Sequence, residues 1–441
     1  MPNELPVNDP ISSPASSRPA RRPMTTARSV IVADKVADWT IRIGGIGVIV
    51  AVFGIMAFLA QVVVPLFTGA ASGDMTATTS VVREHPPLMN TVDEYKALAV
   101  SVDKTGEVHA FHVKTGTRLT APSFDLEGKP LTAFTRTLNG RDVAFGFADG
   151  TLRLGALKVG GAVTGADVMP PGLTQLGESD FTDGRSIYTH VAGNQIRRVS
   201  VDIEIEDAQK IAPEGVAITA IDYRLGGTLE RPTKSFVTVD AAGVARLSRT
   251  ESRTNMLTGQ TTTTLTSSEL PGLPPGVPVY DVLMTDKADQ VYVVDRNGVI
   301  YRYDTRNFSQ PALAERAELL PDGVTVGAVR FLIGEQSLVV AGSDGSVNVY
   351  FRLQTPGSPT GDGFTLTRAH TLEPHDAGVV AMDASQRGKM FVTADAEGHI
   401  WLRHSTSEQV LLKLAPPRLP VQYSALSFAP RENGIVAMTD N

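Results

Sequence analysis

Seven hairpin-like segments recur along the chain, and they constrain the fold more than any other feature. In each segment an apolar run rich in β-branched and aromatic residues is followed by a tight turn and a second such run. The segments are 98–113, 143–157, 186–201, 235–249, 291–304, 338–353 and 390–404. One supersecondary unit repeated along a chain is typical of a repeat architecture.

The turns between the paired runs lie 44 to 55 residues apart. Their central residues accept a positive φ, which tight hairpin turns require. These residues are Gly106, Gly150, Asn194, Gly243, Gly298, Gly345 and Gly398. Paired strands at a period of about 40 to 50 residues are typical of propeller blades. The sequence therefore predicts an all-β fold, a seven- to eight-bladed WD40-like β-propeller.

Residues 374–407 give the most complete single blade and resemble a WD40 blade. His375 stands at the position of the Gly-His histidine, whereas Arg403 and His404 occupy the place of the Trp-Asp pair. The sequence therefore does not predict the side-chain tetrad that WD40 blades use. An eighth unit begins at residue 423 and stops at Asn441 inside an expected turn. Its outer strands are expected either from residues 71–95 or in sequence lost by truncation, and truncation is favoured.

Upstream of the repeats, residues 43–73 contain no charged residue. The most apolar part runs from Ile43 to Phe67 and would span about 37 Å as a helix, enough to cross a bilayer with some tilt. A cleaved signal peptide is the alternative, because Gly69 and Ala71 resemble a cleavage site. Its apolar core would extend over only about 7–15 residues, however. An uncleaved N-terminal transmembrane helix is therefore predicted.

The distribution of charge predicts how the chain is oriented in the membrane. Residues 1–42 carry six basic and four acidic groups, so their net charge is +2 and that of the remaining residues is −9. The positive-inside rule then places the N-terminus in the cytoplasm and the repeats in the bacterial periplasm. The expected parts are a disordered cytoplasmic tail (1–29), a juxtamembrane segment and inner-membrane helix (30–70), and the propeller (71–441). An acidic propeller is not expected to bind nucleic acid.

Motifs for catalysis and cofactor binding are missing from the sequence. It has no cysteine, which excludes disulfides, thiolate metal sites and thiol catalysis. It has no phosphate-binding loop, no zinc-protease motif and no nucleophile elbow. No catalytic, cofactor-binding or metal-binding residue is therefore predicted, and the chain is expected to be neither an enzyme nor a cofactor carrier.

Other polar residues and the aromatic residues have structural interpretations. Histidines within one segment, such as His109 and His112 or His399 and His404, fall on opposite strand faces, so strand-end or surface positions are expected. Arg330 and Arg246 would meet an anion if they lined a central channel, but surface placement is favoured. Acidic residues expected to stabilise turns are Asp149, Asp295, Asp344 and Asp395. Aromatic residues expected between blades are Phe331, Tyr350, Phe391 and Trp401.

The apolar helix with its exit VVVPLF, followed by a propeller-like region, resembles the long-form phosphate ABC-transporter permeases of the PstC type. The resemblance covers residues from about 30 to 441. It implies phosphate import in a complex with a second permease, an ATPase and a periplasmic phosphate-binding protein. The permease core of that family has no counterpart here, so no transport residue carries over.

Two alternatives to a transporter component remain open. The first is a freestanding membrane-anchored scaffold that binds other proteins through its propeller. The second is a propeller enzyme such as a quinoprotein, which is disfavoured because Trp39 and Trp401 are the only tryptophans.

Overall fold

The computed structural model describes residues 26–63, 85–228, 232–254, 261–415 and 421–439. The chain divides into two compact units, Met1–Gly69 and Ala70–Asn441. The first unit contains helix α1, Arg28–Val63, whose side chains are all exposed. No proline interrupts it, so the helix runs unbroken through the predicted start of the span at Ile43. The predicted end at Phe67 lies outside the described residues.

Helix α1 is long and apolar enough to cross a membrane, and a signal sequence near the N-terminus would satisfy the same test. Its 36 residues correspond to about 54 Å. Residues 30–42, the juxtamembrane segment expected before the span, belong to the same helix as the apolar residues that follow.

In its described residues the second unit is built from strands arranged in seven sheets. Sheet 1 contains β1 (Pro87–Val92), β2 (Leu98–Asp103), β3 (Val108–His112) and β4 (Arg118–Leu119). Sheet 2 contains β5 (Leu131–Arg136), β6 (Asp142–Phe147), β7 (Thr151–Gly165), β8 (Thr174–Leu176), β9 (Asp180–Thr182), β10 (Ile187–Val191), β11 (Gln195–Ile205) and β12 (Gln209–Lys210). Sheet 3 contains β13 (Ile218–Gly227), β14 (Pro232–Asp240), β15 (Ala245–Thr254) and β16 (Thr261–Glu269).

The remaining sheets follow in chain order. Sheet 4 contains β17 (Val279–Met284), β18 (Gln290–Asp295), β19 (Val299–Asp304) and β20 (Ala312–Glu318). Sheet 5 contains β21 (Val326–Phe331), β22 (Ser337–Gly342), β23 (Val347–Gln354) and β24 (Phe364–Leu372). Sheet 6 contains β25 (Val379–Ala384), β26 (Met390–Asp395), β27 (Ile400–His404) and β28 (Gln409–Leu414), and sheet 7 contains β29 (Tyr423–Phe428) and β30 (Ile435–Thr439).

Sheets 1, 3, 4, 5 and 6 are regular four-stranded antiparallel meanders, as blades of a propeller are. Each sheet shares a buried apolar core with the next sheet along the chain, from sheet 1 through to sheet 7. Strand β1 of sheet 1 in turn contacts β29 and β30 of sheet 7, so the sheets form a ring. The predicted all-β propeller with an N-terminal apolar helix is confirmed. The regular blades number five, however, and do not support the predicted count of seven to eight.

Sheet 2 corrects one part of the sequence analysis. The hairpin at Asn194 does not form a blade of its own, because its strand β11 pairs over its whole length with residues 155–165 of the long strand β7. Strands β8 to β11 are thus an insertion into sheet 2. The insertion packs on sheet 1, where Leu176, Ile187 and Val199 join the core of that sheet. Its local pattern is that of any hairpin, so only its strand partner distinguishes it from a blade.

Sheet 7 corresponds to the predicted eighth unit and contains two strands in the described residues. Residues 87–92 of the segment proposed to complete it form β1 of sheet 1 instead. The preceding residues 71–84 lie outside the described part of the chain.

Candidate functional site

The first strand of every sheet lies next to the ring centre and has the same irregularity. In all seven strands the pairing with the second strand shifts by one residue after the first paired position. Such a bulge bends the strand and increases its twist. Six of these strands, β1, β5, β17, β21, β25 and β29, line a central cavity of about 180 Å³. This cavity is the first place to look for a functional site.

Two arginines reach into the central cavity, and each already has a carboxylate partner. Arg136 donates to Asp383 across 2.8 Å, which joins sheet 2 to sheet 6. A second nitrogen of Arg136 donates to the backbone carbonyl of Asn90 at 3.4 Å. Arg330 donates to Asp281 at 3.1 Å, which joins sheets 5 and 4. The cavity therefore contains paired charges rather than free cations.

Burial changes the titration of one of these pairs. It raises the pKa of the Asp281 carboxyl to about 6, although the nearby Arg330 acts against the rise. The Arg330 side chain is 47% exposed because it faces the cavity rather than a packed core. An anion entering here would have to displace a carboxylate that is ionised at neutral pH. The ion pairs that line the cavity are thus better suited to joining neighbouring sheets than to binding an anion.

The two arginines singled out from the sequence have different surroundings. Arg330 lies in the cavity, so its expected surface placement is wrong. Arg246 forms ion pairs with Asp240 and Glu269 on sheet 3 and does not line the cavity. Alternation along a strand predicts which residues share a face, but it does not predict which strand of a blade is innermost. The sequence alone therefore could not place Arg330 in the cavity and Arg246 outside it.

A chain of four hydrogen-bonded side chains joins strands β26 and β27 of sheet 6 to His375 in the β24–β25 connection. Arg403 Nε donates to Thr393 Oγ1 at 3.0 Å, and Thr393 Oγ1 lies 2.8 Å from His375 Nε2. His375 Nδ1 lies 3.1 Å from Asp395. A carboxylate can only accept, so His375 donates from Nδ1 and its Nε2 accepts from the threonine hydroxyl. Arg403, at the expected Trp-Asp position, thus completes a network that the sequence did not predict.

The environment of His375 keeps it neutral. Burial, followed by the charge of Arg403, lowers the pKa of His375 to about 4, although Asp395 opposes the change. Burial likewise lowers the pKa of Arg403 to about 10. The imidazole also stacks on Trp401 with ring centroids 4.2 Å apart. An immobile neutral histidine between structural partners stabilises the blade and is not arranged as a catalytic base.

Strand-end or surface positions are expected for the histidines from the sequence, and His112 does end strand β3. Three of them are nevertheless buried: His109, His112 and His375. His112 lies 3.2 Å from Asp180, so it fastens the insertion of sheet 2 to sheet 1. His109 lies near Asp103 and Glu107, the one group in the described residues with spacing suited to a metal ion. Arg118 donates to Glu107 at 3.0 Å and lies 3.3 Å from His109. A guanidinium in this position repels a metal ion, so the group carries no metal assignment.

The residues expected at hairpin turns lie at tight turns between paired strands. All seven turn residues, Gly106, Gly150, Asn194, Gly243, Gly298, Gly345 and Gly398, have a positive φ. Acidic side chains stabilise several of these turns; Asp295, for example, accepts the N–H groups of Asn297 and Val299 at 2.8 Å each. Burial alone would raise the pKa of Asp149, but hydrogen bonds from Thr151 bring it below its usual value. The acidic residues Asp344 and Asp395 accept backbone N–H groups in the same way.

Three of the four aromatic side chains expected between blades are buried there, and Trp401 is not part of such a core. Phe331 and Tyr350 belong to the core between sheets 4 and 5, and Phe391 belongs to the core between sheets 5 and 6. The Trp401 ring stacks on His375, and Lys413 Nζ lies 4.0 Å from its centroid.

One buried ionic cluster is not predicted by the sequence pattern. Arg302 is fully buried on β19 and donates to Glu315 at 2.9 Å and to Asp362 at 2.5 and 3.0 Å. It also donates to the backbone carbonyl of Phe364, so it fastens sheet 4 to the β23–β24 connection of sheet 5. A charged residue inside an otherwise apolar strand is the signal that could have revealed it.

No protein family and no curated protein matches the chain. Solved propeller structures do resemble it. The Cps50 (Swd1) β-propeller domain of Myceliophteria thermophila is 10% identical, with a TM-score of 0.48, covering 81% of this chain and 95% of that one. Raptor of Chaetomium thermophilum is 13% identical, with a TM-score of 0.49, covering 81% of this chain and 27% of that one. Neither is similar enough to indicate what this chain binds.

Proposed function

We propose that this chain is anchored in the bacterial inner membrane by α1 and forms the N-terminal, periplasmic propeller portion of a phosphate ABC-transporter permease. The observation that carries the proposal is the order of its parts: a basic N-terminal segment, a helix whose residues 43–63 are uncharged, and a propeller. This order is the one that the PstC-type resemblance implies. The partners are a second permease, an ATPase and a periplasmic phosphate-binding protein.

In this proposal the propeller is a docking module, not an enzyme and not the transport path. Support comes from its charges: both arginines of the central cavity are paired with carboxylates. The Ser424 hydroxyl in the cavity wall donates to the backbone carbonyl of Met438, and no histidine is among the described lining residues. A nucleophile–base pair is thus not assembled in this cavity. We therefore expect the propeller to act by binding partner proteins through its rim and loops.

We further propose that the ring has seven blades. The support is the bulge that all seven first strands share, because identical irregularities indicate equivalent positions in a repeat. Sheet 2 would then be a blade with an insertion, and sheet 7 a blade with two strands in the described residues.

The proposal is tested in two steps. The gene is sequenced beyond codon 441 in its native genome, where an open frame encoding about six further apolar segments is expected. Codons 85–439 are then removed in frame with α1 retained, and uptake of radiolabelled phosphate is measured at low external phosphate. Loss of uptake supports the proposal. Unchanged uptake, or a downstream sequence without membrane helices, contradicts it.

The second candidate is the freestanding anchored scaffold, and one observation favours it. Sheets 1 and 7 touch through β1 and β29, so the described propeller closes on itself. A soluble version of residues 85–439 that is monodisperse and unfolds cooperatively would favour the scaffold, provided that the gene encodes no permease helices.

A further inference from the structure

The outer strands of the regular blades differ in how they protect their free edges. Natural edge strands avoid further strand pairing through bulges, charges or short length. The long fourth strands β20, β24 and β28 each contain a register shift against their neighbour. They also carry charged residues, among them Glu315, Arg368 and Lys413.

Strand β16 has none of these protections. Its pairing with β15 is continuous from Arg246↔Glu269 to Thr254↔Thr261, without a shift. Its sequence TTTTLTSSE contains no proline and no charge before the terminal Glu269. Residues 262–267 are all exposed, and Leu265 at the centre is 38% exposed. A long, regular, uncharged edge of this kind is suited to pairing with another strand.

The hydrogen bonds to β15 show which backbone groups of β16 are free for such pairing. Leu270 donates its N–H to the Ala245 carbonyl, so the pair 245–270 is a hydrogen-bonded pair. Hydrogen-bonded pairs alternate along an antiparallel ladder, so residues 268, 266, 264 and 262 also bond to β15. The N–H and C=O groups of Thr263, Leu265 and Ser267 therefore point away from β15.

These outward groups are arranged so that β16 complements itself. A two-fold axis at Leu265 would set Leu265 against Leu265 of the second copy and Thr263 against Ser267 of the second copy. Every such pair exchanges N–H···O bonds between outward groups, and the two exposed leucines cover one another. Glu269 would face Thr261 of the second copy, so no like charges meet.

The neighbouring outer strands do not have this property. A two-fold axis at the centre of β20 would set Glu315 against its own copy, and one at the centre of β24 would do the same to Arg368. Like charges directly opposite one another destabilise an antiparallel pair.

We infer that β16 is a homodimer edge, at which two copies of this chain pair antiparallel about Leu265 and join their third sheets into one continuous sheet. The inference goes beyond the proposed function and does not depend on it.

Cross-linking tests the register directly. The chain has no cysteine, so a single introduced cysteine reacts alone. In a hydrogen-bonded antiparallel pair the Cα atoms are about 5.5 Å apart, within the range that a disulfide spans. The full chain with Leu265→Cys, in native membranes under mild oxidation, is expected to form a disulfide-linked dimer. The matched control is Leu313→Cys on β20, where the leucine is 37% exposed. Equal cross-linking of the two variants would overturn the inference.

A charge exchange tests self-pairing without a cross-link. Thr263→Lys with Ser267→Lys sets two like charges opposite each other on both sides of the axis, whereas Thr263→Lys with Ser267→Glu sets opposite charges there. Both variants lose the same hydroxyl contacts to Ser252 and Ser248, so they are matched in the fold. Sedimentation of the full chain in detergent should show a dimer at least about tenfold weaker for the first variant. A monomeric wild type, or equal dimerisation of both variants, would overturn the inference, as would a foreign strand bound at β16 of a monomer.

Discussion

Individual residues hold the propeller together through buried polar groups as well as apolar packing. Arg302 and His375 are the clearest cases, because each is buried and is hydrogen-bonded to at least two other side chains. A buried group of this kind is stabilising only while its partners are present and correctly protonated. The pH dependence of stability should therefore report on His375.

We expect acid to weaken the propeller through His375. Its pKa is about 4 in the folded protein and about 6.5 otherwise, so the neutral form is the one that the fold favours. Above pH 6.5 the histidine is neutral in both the folded and the unfolded chain, and the folded protein has its full stability. As the pH falls from 6.5 towards 4, the unfolded chain binds a proton that the folded protein does not, so this stability is lost. Between pH 7.5 and pH 5 this amounts to about 2 kcal/mol. His375→Gln should reduce the pH dependence of the urea unfolding free energy by that amount.

Thr393→Val is the control for that measurement. It removes a hydrogen bond of the same network but leaves the imidazole able to titrate. Its stability should be lower at both pH values, with the pH dependence retained. Equal pH dependence in the wild type and in His375→Gln would mean that burial of this histidine does not control the acid response.

At the scale of elements, the sequence predicted the local hairpins and not their partners. Turn residues and alternating strands are local properties, so the turns at Gly106 and Gly298 could be found from a few residues. The pairing of β11 with β7 joins strands that are separated along the chain, so the local pattern around Asn194 predicts a separate blade where the structure has an insertion. The placement of Arg330 in the cavity likewise depends on which strand of the blade is innermost.

The turn at Gly150 should tolerate substitution poorly. Its φ is +82°, and a Cβ atom there would lie 2.7 Å from the Pro213 carbonyl oxygen and 3.0 Å from that of Val216. Gly128 has a φ of +67° with open space around its Cβ position. Gly128→Ala should cost about 1–2 kcal/mol from backbone strain alone. Gly150→Ala should cost at least about 1 kcal/mol more because the connection before β13 must move.

Thermal unfolding of the two glycine variants under identical conditions measures this difference. Equal losses of stability in the two variants would mean that residues 211–217 move aside without cost. The backbone strain of a non-glycine residue at positive φ would then account for the whole effect.

The whole molecule is stabilised as a closed ring. Each sheet packs on its two neighbours, and the last contact joins sheet 7 to sheet 1. Asn90 on β1 donates to the Val436 carbonyl at 3.1 Å, and Lys96 donates to that of Asn433 at 3.0 Å. In repeat proteins, stability depends on such interfaces between neighbours. Loss of one interface should therefore first lower the local stability of the units on either side of it.

Removal of residues 421–439 should therefore loosen the ring unevenly. Sheets 1 and 6 would each lose a neighbour, whereas sheet 4 shares its apolar cores with sheets 3 and 5 and keeps both of these neighbours. Hydrogen exchange measured by mass spectrometry should become faster in β1 and β2 than in β17 to β19, which serve as an internal control in the same molecule. Closure matters because it gives an end unit the same two neighbours as a central one. Uniform acceleration of exchange in all sheets would instead mean that the propeller opens only as a whole, and that its stability does not divide between adjacent blades.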